Sequence, residues 1–248
     1  AEARDAILFF RMGDFYELFF DDAIDAAAIL DLTLTSRDAA DKKERIPMAG
    51  VPFRAVDGYL ARLIKAGRTV CICDQVEDPK DAKGIVRREV VRTVTPGTVM
   101  EPELLEDRAN NYLAALMFDK GAGGLALVDV TTGEFLAAPV DSEQVLADEL
   151  TRTRPVEVLV PDTTTATFLK RLQSRFTTSA FRTRPEHDFD AAHARTQLER
   201  QFDLSTLKGV GLDDAPAALA CAGAALQFVQ ETQRGQTPHL RLPRRYNP

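Results

Sequence analysis

The periodic pattern of this chain breaks once, and that break limits what it can fold into. Residues 95–97 read Thr-Pro-Gly, an acidic stretch runs from Glu101 to Asp107, and regular alternation resumes at Tyr112. Pro and Gly followed by clustered charge interrupt helices and strands alike. Two domains are therefore expected, at 1–98 and 107–236, with 237–248 opening a following domain. Ahead of the break, residues 7–10 read as a buried strand, and Asp21-Asp22 followed by Ile24, Ala27, Ala28 and Leu30 predict a helix with acids in its first turn. A short strand follows at 33–35, then a tight segment at 47–52. Val56, Tyr59, Leu60, Leu63 and Ile64 recur at helical spacing up to Gly67, and strands are expected at 69–76 and 86–94. Beyond the break, 113–118, 125–130 and 134–137 predict a meander, with helices at 143–150 and 165–172 around a strand at 156–160. An alanine-rich helix is expected from about Pro216 to Arg234. The fold class is α/β (α+β).

Composition narrows the function classes. With 45% hydrophobic and 28% charged residues, the chain can bury substantial cores. No run reaches the ~20 apolar residues of a membrane span and no leader pattern opens the sequence, so a cytosolic protein is expected. Cys71, Cys73 and Cys221 have the spacing of neither a disulfide framework nor a zinc site and read as small buried groups. The net charge of -7 argues against broad electrostatic affinity for nucleic acid. Lys83, Arg87, Arg88 and Arg92, and separately Arg37, Lys42, Lys43 and Arg45, form local cation clusters that suit either phosphate contact or a solvated surface.

Three segments point further. Residues 9–19 read FFRMGDFYELF, 46–52 read IPMAGVP and 91–98 read VRTVTPGT. They closely resemble three signatures of the MutS family of mismatch repair proteins, in the same order and at similar separations. The likeness continues through Asp129-Val130-Thr131-Thr132-Gly133-Glu134-Phe135 and Leu226-Gln227-Phe228-Val229. It implies a mixed-sheet mismatch-recognition domain followed by a ribonuclease-H-like connector. Whole MutS proteins continue through a lever, a clamp and an ATPase, whereas no G-x-x-x-x-G-K-[ST] loop occurs here, so the chain is expected to be a fragment without enzyme activity. ATP and magnesium would belong to the missing ATPase. Mismatched duplex DNA, a MutL-type protein on the connector and a homodimer of the full-length protein are the implied partners, in a bacterial cytoplasm at the nucleoid.

The resemblance assigns Phe15 and Glu17 to mismatch binding. Residues two apart on a strand point the same way. A Phe in the minor groove wedges between base steps, which unstack at lower cost where pairing is defective. An ionised Glu accepts a hydrogen bond from an exposed base and repels the phosphates of DNA that offers no donor. Without the family, Phe15 reads as a core aromatic and Glu17 as a first-turn acid. Phe9, Phe10, Phe19 and Phe20 are expected in or near the core. Met12, Arg37, Met48 and Arg54 are candidates for backbone or groove contacts, Arg54 because it precedes a helix N-terminus. Two rivals stand beside the DNA reader. One is a metal-dependent nuclease using Asp129, against which a lone strand Asp is ordinarily a turn cap. The other is a protein-interaction module without DNA affinity. No metal site is expected, since His187, His193 and His239 lack ligand spacing.

Overall fold

A computed structural model describes residues 6–38, 45–77, 86–100, 110–119, 121–233 and 240–248. They form two compact units, one ending at Thr95, the other comprising Pro96–Met100 and the described residues from Asn110 onward.

In the first unit, strands β1 (Ala6–Met12), β2 (Phe15–Phe19), β3 (Thr35–Asp38), β4 (Arg45–Pro52), β5 (Thr69–Gln75) and β6 (Arg88–Val94) form a mixed sheet ordered β3-β4-β2-β1-β5-β6. Only the β1–β5 pair is parallel. Side-chain alternation decides which face is core: Ile7 and Phe9 on β1, Tyr16 and Leu18 on β2, and Ala49 and Val51 on β4 are buried. Helices α1 (Phe20–Leu30) and α2 (Val56–Lys65) touch each other and cover that face. Ala23, Ala26 and Ala27 let α1 sit close to the sheet, while Leu60 and Leu63 each contribute roughly 1.5–3 kcal/mol of burial from α2. The opposite face carries Leu8, Phe15 and Glu17, and among the described residues no helix of the unit packs there.

Several expectations change. Residues 47–52, read as a tight segment because of Pro47, Gly50 and Pro52, belong to β4, held in the ladder by β2 and β3 on either side. The strand expected at 33–35 begins at Thr35, because α1 ends with Asp31 in the left-handed region (φ 54°) and the chain needs residues 32–34 to return to the sheet. Phe20, expected near the core, is exposed: it adopts φ 56° at the strand-to-helix junction, which turns its ring outward. Asp22 spends its carboxylate outside its own helix, accepting the Leu8 amide at 2.9 Å. Lys42, Lys43, Lys83, Arg234 and His239 lie outside the described residues.

The second unit is a three-layer sandwich. The meander β7 (Leu113–Asp119), β8 (Ala122–Asp129) and β9 (Glu134–Val140) is extended through β7 by parallel β10 (Glu157–Pro161) and β11 (Ala180–Arg184). The order β9-β8-β7-β10-β11 is the ribonuclease-H-like arrangement. Ala114, Leu116, Leu125 and Leu127 face α3 (Glu143–Thr153) and α4 (Ala166–Arg175). Leu113, Ala115, Ala126 and Val128 face α5 (Ala191–Gln201) and α6 (Pro216–Thr232). Neither β11 nor α5 was evident in the sequence: β11 alternates with arginines, and α5 buries only Ala194 and Leu198.

Close approach sets the position of α6. A Cβ on Gly124 of β8 would lie 2.3 Å from the Ala217 carbonyl carbon, so the helix backbone rests directly on that strand. Gly124→Ala is expected to cost about 3 kcal/mol or more, lowering the melting temperature by roughly 6–12 °C in a thermal scan. An unchanged melt would show that α6 has room to move.

Of residues 237–248, expected to open a following domain, 240–248 are described, and there β12 (Arg244–Arg245) pairs with β9 and the Tyr246 hydroxyl donates to Glu149 at 3.1 Å. Among the described residues no helix is long and apolar enough to cross a membrane.

Candidate functional site

β1 and β2 form a hairpin around Gly13 and Asp14, with Met12 opposite Phe15. Gly13 at φ 59° takes the first position of the two-residue loop, where a residue with positive φ matches the twist of the flanking strands. Phe15 opens β2 between Met12 and Pro52, and Glu17 lies between Phe10 and Gly50. Antiparallel partners share a face, so Met12, Phe15, Glu17, Phe10 and Pro52 stand on the side of the sheet without helices. Met48, opposite Phe19 on β4, and Arg37, opposite Ile46 on β3, complete the same surface. The structure thus brings five of the six sequence candidates onto one face. Arg54 lies apart, exposed in the short 3-10 turn Phe53–Ala55.

Phe15 is 48% exposed and so is not a core aromatic. The Glu17 carboxylate is unusual for a surface strand: Oε2 is shielded from solvent without a hydrogen-bond partner. Its nearest cation, Arg37, approaches to 3.8 Å, long for a hydrogen bond, and is itself 58% exposed. Opposite Glu17, Gly50 puts no side chain over the carboxylate, and an added Cβ there would meet the Phe15 ring at 3.9 Å. The arrangement is an aromatic blade beside an acceptor without a donor.

Beneath the hairpin lies a set of residues absent from the sequence reading. Arg11 donates from Nε to Gly13 O at 2.5 Å and stacks 3.4 Å from the Phe53 ring centroid. Tyr16 packs on both Phe9 and Phe53 and donates its hydroxyl to Asp74 at 3.0 Å. Burial, then the neighbouring Asp74 carboxylate, pushes the Tyr16 phenol up to about 12, so it stays a neutral donor. The available signal was a cation two residues beyond Phe9, at a strand position that period-two alternation assigns to the core.

The cations of 87–92 are largely engaged within their unit. Arg87 pairs with Glu89, and Arg88 donates to the Arg11 and Val86 carbonyls. In the second unit, Asp129 is a turn cap: Oδ1 accepts from the Thr131 amide (2.9 Å), the Thr131 hydroxyl (2.6 Å) and the Thr132 amide (3.3 Å), and Oδ2 from the Asn111 amide (3.2 Å). Among the described residues no three His, Cys, Asp or Glu side chains converge as a metal site. Cys71, Cys73 and Cys221 are buried and form no disulfide.

Comparison with known proteins addresses both units. The family model of MutS domain I matches residues 1–103, and that of MutS domain II matches residues 111–241. The chain is 45% identical over 239 residues to the DNA mismatch repair protein MutS of Symbiobacterium thermophilum, covering 95% of this chain and 27% of that protein. It is 56% identical over 160 residues to the DNA mismatch repair protein MutS of Methanothrix thermoacetophila, covering 64% of this chain and 19% of that protein. The matched regions thus span about a quarter or less of these relatives.

Proposed function

The chain belongs to the MutS family, and from that premise we propose that it reads mispaired or unpaired bases in duplex DNA from the minor groove. One observation carries this reading: a half-exposed Phe15 stands beside a Glu17 whose Oε2 lacks a hydrogen-bond partner and meets its cation, Arg37, only at 3.8 Å. Inserting Phe15 between base steps requires unstacking, which costs less at a defective pair. A base N–H presented by mispairing offers the Glu17 carboxylate, 22% exposed, the hydrogen bond that Arg37 at 3.8 Å does not supply. Met12, opposite Phe15, adds apolar surface beside the blade and Met48 adds it further along the same face, opposite Phe19; Arg37 supplies a phosphate contact from that face and Arg54 one from outside it, positioning the duplex.

The second unit serves as a connector, relaying to an ATPase elsewhere in a longer protein and docking a MutL-type partner. ATP and magnesium act in that ATPase, and the full-length protein works as a homodimer in the bacterial cytoplasm. The nuclease alternative loses its support because Asp129 Oδ1 caps the turn while Oδ2 accepts from the Asn111 amide.

The test measures matched and mismatched duplexes by fluorescence anisotropy. Glu17→Ala removes one base contact together with a negative charge. Matched DNA is expected to bind at least as well as before, while mismatch preference falls by roughly 5- to 10-fold, the worth of about one hydrogen bond. Equal weakening of both duplexes would remove Glu17 from the reading head.

A further inference from the structure

We propose that Arg11 is the positioning residue of the wedge, holding the loop from which Phe15 emerges at a fixed height and angle. This rests on the reading of Phe15 as the wedge. The loop has only two residues, and both of its carbonyls are tethered: Gly13 O accepts from Arg11 Nε at 2.5 Å, and Asp14 O from the Phe53 amide at 2.9 Å. These two tethers are joined, because the Arg11 guanidinium stacks 3.4 Å from the Phe53 ring centroid. The Arg11 carbonyl in turn accepts from Arg88 Nε at 2.8 Å, tying β1 to β6 at the same level. The Tyr16 ring, 5.5 Å from the Arg11 guanidinium and 5.8 Å from the Phe53 ring, is fixed through its hydroxyl to Asp74.

Stability does not account for an arginine here. Its Nη1 is shielded from solvent, and that desolvation, offset here by stacking on Phe53, is a cost an apolar side chain of similar length avoids. What a guanidinium alone supplies is a flat face for stacking together with an in-plane N–H aimed at a carbonyl. A wedge gains from that combination. Freedom removed from the loop beforehand is not lost again when the ring enters the base stack.

The inference is tested first without DNA. In 15N relaxation of the 248-residue chain, Arg11→Lys and Phe53→Leu are expected to lower the order parameters of the Gly13, Asp14 and Phe15 amides from about 0.85 to below about 0.6. Phe53→Tyr, which keeps the ring, should leave them rigid. On DNA, Arg11→Lys is expected to reduce the ratio of mismatched to matched affinity by roughly 2- to 12-fold, the range for one newly mobile side chain, with matched affinity unchanged. A rigid loop in Arg11→Lys overturns the proposal, as does a loosened loop with an unaltered ratio. Equal losses on both duplexes would make Arg11 a phosphate contact instead. Failure of the wedge reading itself is distinguishable, since it shows as normal mismatch preference in Phe15→Ala whatever the loop does.

Discussion

Replacing Phe15 by alanine is expected to lower mismatch affinity by roughly 5- to 150-fold, bringing it toward that for matched DNA, because one base-stacking contact contributes about 1–3 kcal/mol. The fold should hardly notice. Truncating a core Phe typically costs about 3–5 kcal/mol, whereas this ring is 48% exposed and lies on the sheet face away from both helices. Anisotropy titrations and thermal melts of the same variant therefore give opposite signatures for a wedge and a packed aromatic. A large fall in melting temperature with mismatch preference intact would place Phe15 in the core and end the reading. Glu17 makes a different demand, since its replacement trades a lost acceptor against relieved phosphate repulsion, and so separates discrimination from affinity.

Phe15 and Glu17 were legible in the sequence as a same-face pair because period-two alternation is a property of any strand, and the MutS signatures supplied the chemistry. Which face they occupy was not legible. It depends on α1 packing on β1, β2 and β4 and on α2 packing on β4 and β5, a tertiary outcome that no local pattern encodes. The same limit explains Arg11. A cation in register with Ile7 and Phe9 reads as a flaw in a strand until Phe53, 42 positions later, is seen under its guanidinium. β4 was obscured for another reason. Its prolines and glycine are turn residues in isolation, and only pairing on both edges keeps them extended. In the second unit the meander was readable because it closes through short turns. β11 and α5 were missed because their buried residues are few and widely spaced.

The division between the units raises the last expectation, centred on Glu157. The sequence reading ended the first domain at 98 and began the second at 107, and Pro96–Met100 groups with the second unit. Its anchors are specific: the Gly97 amide donates to Glu157 Oε2 at 2.8 Å, Asn111 donates to Pro96 O at 2.8 Å, and Gln233 donates to Thr98 O at 2.8 Å. Glu157 is fully buried and also pairs with Arg182, whose Nη2 is shielded without a hydrogen-bond partner. Space is tight as well, since a Cβ on Gly97 would stand 3.0 Å from the Glu157 side chain. Glu157→Leu strands the guanidinium beside an apolar group. Breaking a buried pair costs about 3–5 kcal/mol, and the 21% exposure of Arg182 places this case near the lower end. A fall in melting temperature of roughly 6–12 °C is expected. Glu157→Gln keeps an acceptor for Gly97 and loses only the charge, so it should fall less. Adding Arg182→Leu to Glu157→Leu removes the stranded cation and should recover most of the loss, since an apolar pair of similar volume is often as stable as an ionic one. In both Leu variants the Gly97 amide should exchange faster with solvent, because its acceptor is gone in each. If the double variant melts no higher than the single one, the cost lies in packing at Gly97 and not in the stranded charge.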